Sequence, residues 1–228
     1  MSLTADEVTL CNQALDGIGA AVFTYATQTT NEALSCNRHY AQTRDYLLEE
    51  LEPVFARGRA EITVYGIGAL VYWEGSPVTY ESASVYFGVI HYDDDFEWDY
   101  IYDLPSDFLC LRNKDPIYEL DGQVYEPADR YDIVGDLIYT NLDEVHLRYI
   151  KAVTDPDDFD SLFTEILILS LGIKLLNSLA GTKNDALQER MEKRLEYLIR
   201  KAKSRYKKQP DTTGYSSWNN ARFGSGKV

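Results

Sequence analysis

The sequence predicts an α+β protein: a helical bundle of about four helices, formed by both ends of the chain, with a central antiparallel β domain. Three observations carry that expectation. Residues 1–58 and 154–208 repeat apolar side chains every three or four positions, the period of a helix with one buried face. Residues 59–153 switch to short β-branched and aromatic runs broken by Gly, Pro and Asp. Residues 209–228, rich in Thr, Gly, Ser and Asn, show no packing period and read as an extended arm. With 45% hydrophobic and 26% charged residues among 228, the composition is globular and supports a sizeable core.

Thr4-Ala5-Asp6-Glu7 announces the first helix, because a Thr at the cap and a Glu three residues on can each satisfy the other's backbone amide. Val8, Cys11, Ala14, Leu15 and Ile18 form its apolar stripe, and Gly17 and Gly19 end it. A second start lies at Thr29-Thr30-Asn31-Glu32, where Thr29 and Glu32 have the same spacing. Its period runs through Ala33 or Leu34, Cys36 or Asn37, Tyr40, Arg44, Leu47, Leu48 and Leu51 to Pro53, whose ring forbids continuation.

The candidate strands are Ile62–Tyr65, Ala69–Trp73, Val78–Tyr80, Val85–Tyr92, Trp98–Tyr102, Phe108–Arg112, Ile117–Leu120, Gln123–Tyr125, Asp136–Tyr139 and Val145–Ile150. Leu120-Asp121-Gly122-Gln123 carries the Asp-Gly signal of a tight hairpin. No helical crossover is visible in this region, so the sheet is expected to be antiparallel.

Asp160 is placed to cap a third helix reaching Ala180 and stopping at Gly181. Leu162, Phe163, Ile166, Leu167, Ile168, Leu169, Leu171, Ile173, Leu175, Leu176 and Leu179 cover most of its circumference, so it must be buried on most faces. In a chain this size that means a central place in a bundle, an oligomer contact, or both. A fourth helix from about Asn184 shows Leu187, Met191, Leu195, Leu198, Ile199, Ala202 and Tyr206 on one stripe.

Charge is unevenly placed. The net −15 divides into +6 between Glu189 and Lys208, where nine basic residues face three acidic ones, and −22 over residues 1–188, where 11 Lys and Arg face 33 Asp and Glu. The acidic body argues against tight nucleic-acid binding, which draws its affinity from cations neutralising phosphates. The basic segment and arm form the candidate partner-binding element: Arg200, Lys201, Lys203, Arg205, Lys207, Lys208, Trp218 and Arg222.

Chemistry finds little foothold. Cys11, Cys36 and Cys110 are too scattered for a disulfide framework or zinc site and are expected to be buried free thiols; His39, His91 and His146 are equally dispersed. Asp93-Asp94-Asp95-Phe96-Glu97 lacks the glycine and terminal glutamate of a calcium loop and reads as a solvated turn. Gly66-Ile67-Gly68 and Gly224-Ser225-Gly226-Lys227 match no phosphate-binding context, and no nucleophile motif occurs. The chain is therefore expected to be no enzyme and to take neither metal nor cofactor. The eighteen tyrosines suit either sheet packing or interface use. No basic start followed by an apolar segment opens the sequence, and no run approaches ~18–20 uninterrupted apolar residues, so a soluble protein made in a cytoplasm, with no membrane partner, is expected.

Several stretches together resemble a known family. They are Leu10-Cys11-Asn12-Gln13-Ala14-Leu15-Asp16-Gly17-Ile18-Gly19, Cys36-Asn37-Arg38-His39-Tyr40 with Arg44-Asp45, Tyr100-Ile101-Tyr102-Asp103-Leu104-Pro105-Ser106-Asp107-Phe108-Leu109, Tyr118-Glu119-Leu120-Asp121-Gly122, Phe159-Asp160-Ser161-Leu162-Phe163-Thr164-Glu165 and Ser217-Trp218-Asn219-Asn220-Ala221-Arg222. In this order the chain looks like a tail tubular protein A, the head-to-tail adaptor or gatekeeper of short-tailed bacteriophages. The resemblance implies a structural virion protein assembled in a bacterial cytoplasm: a dodecameric homo-oligomeric ring between the portal protein and the tail nozzle protein, around a channel through which genomic DNA passes without specific binding. The helices and arm would contact the portal, and the β part would face the tail. From Ile62 to His91 the chain departs from the family pattern with extra or altered strands. A different class of function, a soluble binding protein using the tyrosine-rich β domain for a carbohydrate or small ligand, is the alternative.

Overall fold

The computed structural model describes residues 3–62, 64–67, 98, 100–112, 117–118, 131–141, 145–179 and 185–208. It is an α+β protein with helices at both ends and sheets between them. Contacts divide the chain into a helical unit, residues 1–58 with 149–228, and a β unit, Arg59–Arg148. The sequence put the end of the β region at 153; the division runs through the last strand instead.

In the helical unit, α1 (Ala5–Gly17) begins with the expected reciprocal cap. The Thr4 amide donates to Glu7 Oε2 at 2.7 Å, and the Glu7 amide donates to Thr4 Oγ1 at 3.3 Å. It ends in a Schellman turn: Gly19, at φ +71°, donates to the Asp16 carbonyl, and Ala20 donates to that of Leu15. Helix α2 (Asn31–Leu51) starts one residue later than the sequence spacing suggested, with Thr30 as the cap that accepts from the Ala33 amide. The Thr29–Glu32 spacing thus fails as a capping box. Of the paired alternatives along α2, Ala33 and Cys36 are buried while Leu34 is 51% exposed. Glu52, at φ 46°, turns the chain out of the helix directly before Pro53.

The loop between these helices is fastened from both sides by asparagines. Asn12 donates to the Phe23 carbonyl at 2.7 Å and accepts from the Phe23 amide at 3.1 Å. Asn37 donates to the carbonyl of Ala26 at 2.8 Å. Phe23 is buried as a result.

Helix α3 (Ser161–Leu179) is central: it packs against α1, α2 and α4 (Asp185–Lys208). Every residue from Leu162 to Leu176 is buried or half-buried. Length and composition alone would let α3 cross a membrane; here three neighbouring helices bury Leu162, Phe163, Ile166, Leu167, Leu171, Leu175 and Leu176 and leave Ile168, Leu169 and Ile173 half-buried. Gly172 sits where a Cβ would lie 3.0 Å from Met191 Cε and 3.5 Å from the Ala14 carbonyl, so α1 and α4 both pack against this point of α3. Phe55, Phe159 and Phe163 form an aromatic cluster with centroids 5.0–5.8 Å apart.

Among the described residues there are two sheets. One runs β1 (Arg57–Ile62), β8 (Val145–Lys151), β4 (Phe108–Leu111), with β5 (Ile117–Tyr118) antiparallel to β8. The other runs β2 (Val64–Ile67), β3 (Tyr100–Asp103), β7 (Leu137–Thr140), β6 (Tyr131–Val134), antiparallel throughout. Two of these strands were not anticipated. Arg57-Gly58-Arg59-Ala60-Glu61 lacks β-branched residues, and Tyr131–Val134 was passed over although Gly135-Asp136 after it is a two-residue hairpin signal. Val134 pairs with Leu137 across that turn, and Gly135 supplies φ +62°. The expected strands Ala69–Trp73, Val78–Tyr80, Val85–Tyr92 and Gln123–Tyr125, the Leu120–Gln123 hairpin and the Gly181 stop lie outside the described residues.

Candidate docking surface on the last helix

Helix α4 buries Met191, Leu198, Ala202 and Tyr206, a stripe at spacings of seven, four and four facing the bundle. The lower end of that stripe is anchored by polar contacts. The Tyr206 hydroxyl lies 2.9 Å from both oxygens of Asp160 and donates to that carboxylate. Asp160 Oδ1 also accepts from the amides of Leu162 at 3.0 Å and Phe163 at 2.8 Å, capping α3 as its sequence position predicts. Arg57 Nη2 donates at 2.8 Å to the Tyr206 carbonyl, one of the four that a helix end leaves unpaired. Burial first, and the Asp160 hydrogen bond second, push the Tyr206 phenol well above its ordinary pKa.

The basic residues divide into three groups around the remaining circumference. Lys203 is half-buried and its ammonium meets the Glu50 carboxylate of α2, so it ties helices together. Lys193, Arg200 and Lys207, seven residues apart, form the second group: Lys193 pairs with Glu189 one turn earlier at 2.6 Å, and Arg200 Nε donates to the Glu196 carbonyl at 3.4 Å. The third group, Arg190, Arg194, Lys201, Arg205 and Lys208, recurs at spacings of four, seven, four and three, placing all five on one flank over ~27 Å of helix. Within this group only Arg194 has an ion-pair partner among the described residues, Glu165 of α3 at 2.5 Å. Tyr197, 60% exposed, lies beside the flank near its middle. Asp185, Glu189, Glu192 and Glu196 gather on the other side of α4.

Of the docking residues expected from sequence, Lys201, Arg205 and Lys208 come together on this flank. Arg200 and Lys207 are exposed elsewhere on α4, Lys203 is engaged, and Trp218 and Arg222 lie outside the described residues. Arg190, Arg194 and Tyr197 were missed, because counting charge along the chain does not show which residues share a side of the helix; sorting them at 100° per residue does.

Other chemistry is sparse. Among the described residues no group of three or more His, Cys, Asp or Glu is arranged to hold a metal, and Asp93–Glu97 lies outside them. Cys11 and Cys36 are buried side by side between α1 and α2, and their mutual hydrogen bond, with burial, drives the Cys11 thiol far above its usual pKa. Cys110 is half-exposed, unlike the buried thiol expected there. In the sheets Tyr102 and Tyr149 are buried, Tyr100 and Tyr139 half-buried, and Tyr131 is at 36% exposure.

Comparison with protein-family models and with curated proteins finds no match to this chain.

Proposed function

We propose that the chain is a structural assembly subunit without catalytic activity: the head-to-tail adaptor of a short-tailed bacteriophage, forming a ring between portal and tail nozzle around the DNA channel. The observation that carries this reading is where the adaptor-like sequence stretches fall. Asn12 and Asn37 fasten the loop between α1 and α2; Gly19 ends α1; Phe159 and Asp160 join α3 to the aromatic cluster and to Tyr206. Three of the adaptor-like stretches thus contribute residues that fasten helices of the bundle, which supports this reading. The −22 charge of residues 1–188 suits a channel wall that DNA passes without adhering, since like charges repel.

The test mixes the purified full chain with the portal protein of the same genome and follows it by light scattering and negative-stain imaging. A ring seated on the portal is expected. A chain that stays monomeric and binds no portal at any ionic strength overturns the reading.

A further inference from the structure

The flank of Arg190, Lys201, Arg205 and Lys208 finds no counter-charge in its own chain among the described residues. Neither do Asp157 and Asp158, exposed carboxylates on the turn before α3, while the Asp155 carboxylate beside them accepts from the Asp157 amide at 3.0 Å. Lys203 faces α2 through Glu50, and Lys201, two residues earlier, points about 160° away from it. The cationic flank therefore lies on the side of α4 turned from α2.

We propose that this flank is an interface for a second copy of the chain, which seats on it an acidic surface whose described part is the Asp155–Asp158 turn. The proposal rests on the assembly reading and adds which surfaces meet. Charge complementarity selects the occupant: residues 1–188 carry −22, a counterpart to the +6 segment containing the flank. Phosphates fit less well. Glu189, Glu192 and Glu196 line the other side of the same helix, where they oppose a phosphate backbone tracking around it. An exposed Tyr197 beside three arginines is also the composition of a protein–protein hot spot. A flank-to-turn contact repeated head to tail from copy to copy is heterologous, and such contacts generate rings when the rotation closes.

The experiment measures self-association of the full chain by sedimentation velocity at about 50 mM and about 500 mM salt, where screening differs severalfold. One variant reverses the flank (Arg190→Glu, Lys201→Glu, Arg205→Glu, Lys208→Glu); the other reverses the turn (Asp157→Lys, Asp158→Lys), leaving the Asp155 cap in place. Circular dichroism checks that both fold. Wild type is expected to associate at low salt and dissociate at high salt, and each variant alone to associate at least about tenfold more weakly. Their equimolar mixture is expected to regain association, since each then offers the charge the other lacks. Either variant associating like wild type, or a mixture that does not recover, overturns the proposal. So does a wild type that stays monomeric while its flank binds a duplex oligonucleotide, which would make phosphate the occupant. Charge-dependent association without portal binding would sink the adaptor reading and leave this contact standing. Portal binding with association indifferent to both variants would do the reverse.

Discussion

Asp160 gathers more of the helical unit onto one side chain than any local feature of the sequence suggests. Its carboxylate caps α3 and receives the Tyr206 hydroxyl from a residue 46 positions away. Asp160→Ala is expected to cost about 2–3 kcal/mol, a lost cap plus a buried hydroxyl left unpaired. Tyr206→Phe leaves the cap intact and is expected to cost about 1 kcal/mol. Urea unfolding of the two variants and their double mutant measures both, with the double costing less than the sum. The raised Tyr206 pKa has a definite sign: the protonated phenol is favoured in the fold, so its contribution is complete below the unfolded value of about 10 and is lost as pH rises beyond it. Wild type should lose stability above that pH more steeply than Tyr206→Phe. The thiols give a second test. Cys11 and Cys36 are fully buried, and burial with the Cys36 hydrogen bond holds the Cys11 thiol protonated, whereas Cys110 is half-exposed. A thiol reagent at neutral pH should label Cys110 alone, the other two reacting only after unfolding; rapid labelling of all three would contradict the packing.

Helix boundaries on this chain follow local chemistry closely, while contacts between elements do not. Thr4, Asp160 and Gly19 act where their residue types predict, because caps and turns need only neighbours a few positions away. The start of α2 slipped by one residue because two adjacent threonines offer equivalent hydroxyls, and the backbone selected Thr30. Two glycines separate backbone need from packing need. A Cβ at Gly58 would lie 2.6–2.9 Å from Tyr149 ring atoms, so Gly58→Ala should displace a buried ring and cost about 1–3 kcal/mol. At Gly172 the nearest atom is the flexible end of Met191, so Gly172→Ala should be nearly neutral, its helix propensity gain of about 1 kcal/mol offsetting the crowding. Thermal or urea unfolding separates the two cases, and equal costs would refute the distinction. Neither outcome could be read from sequence, where both are single glycines.

For the whole molecule, charge and apolar surface are used at different levels. The apolar circumference of α3, which by itself fitted either a central place or an oligomer contact, is taken up in large part by the chain's own helices, with Ile168, Leu169 and Ile173 left half-buried. What the bundle leaves unneutralised is charge: a cationic flank on α4 and exposed carboxylates before α3. Association driven by such groups weakens as salt shortens the Debye length from ~10 Å at 0.1 M to ~3 Å at 1 M, whereas burial of apolar surface does not. This is why ionic strength is the discriminating variable for assembly here.

The sequence by itself determined the α+β class, the four helices, the caps at Thr4 and Asp160, the switch to strands near residue 59 and the charge imbalance. All of these depend on residue type and short spacing. Only the tertiary structure decided that α3 is central, that Tyr206 returns to Asp160, that Lys203 is spent on Glu50 and that the flank of Arg190, Arg194, Lys201, Arg205 and Lys208 is left exposed. The physical reason is direction. A linear chain records how much charge and apolar surface it carries, but which side of a helix stays open is set by the elements that pack against it.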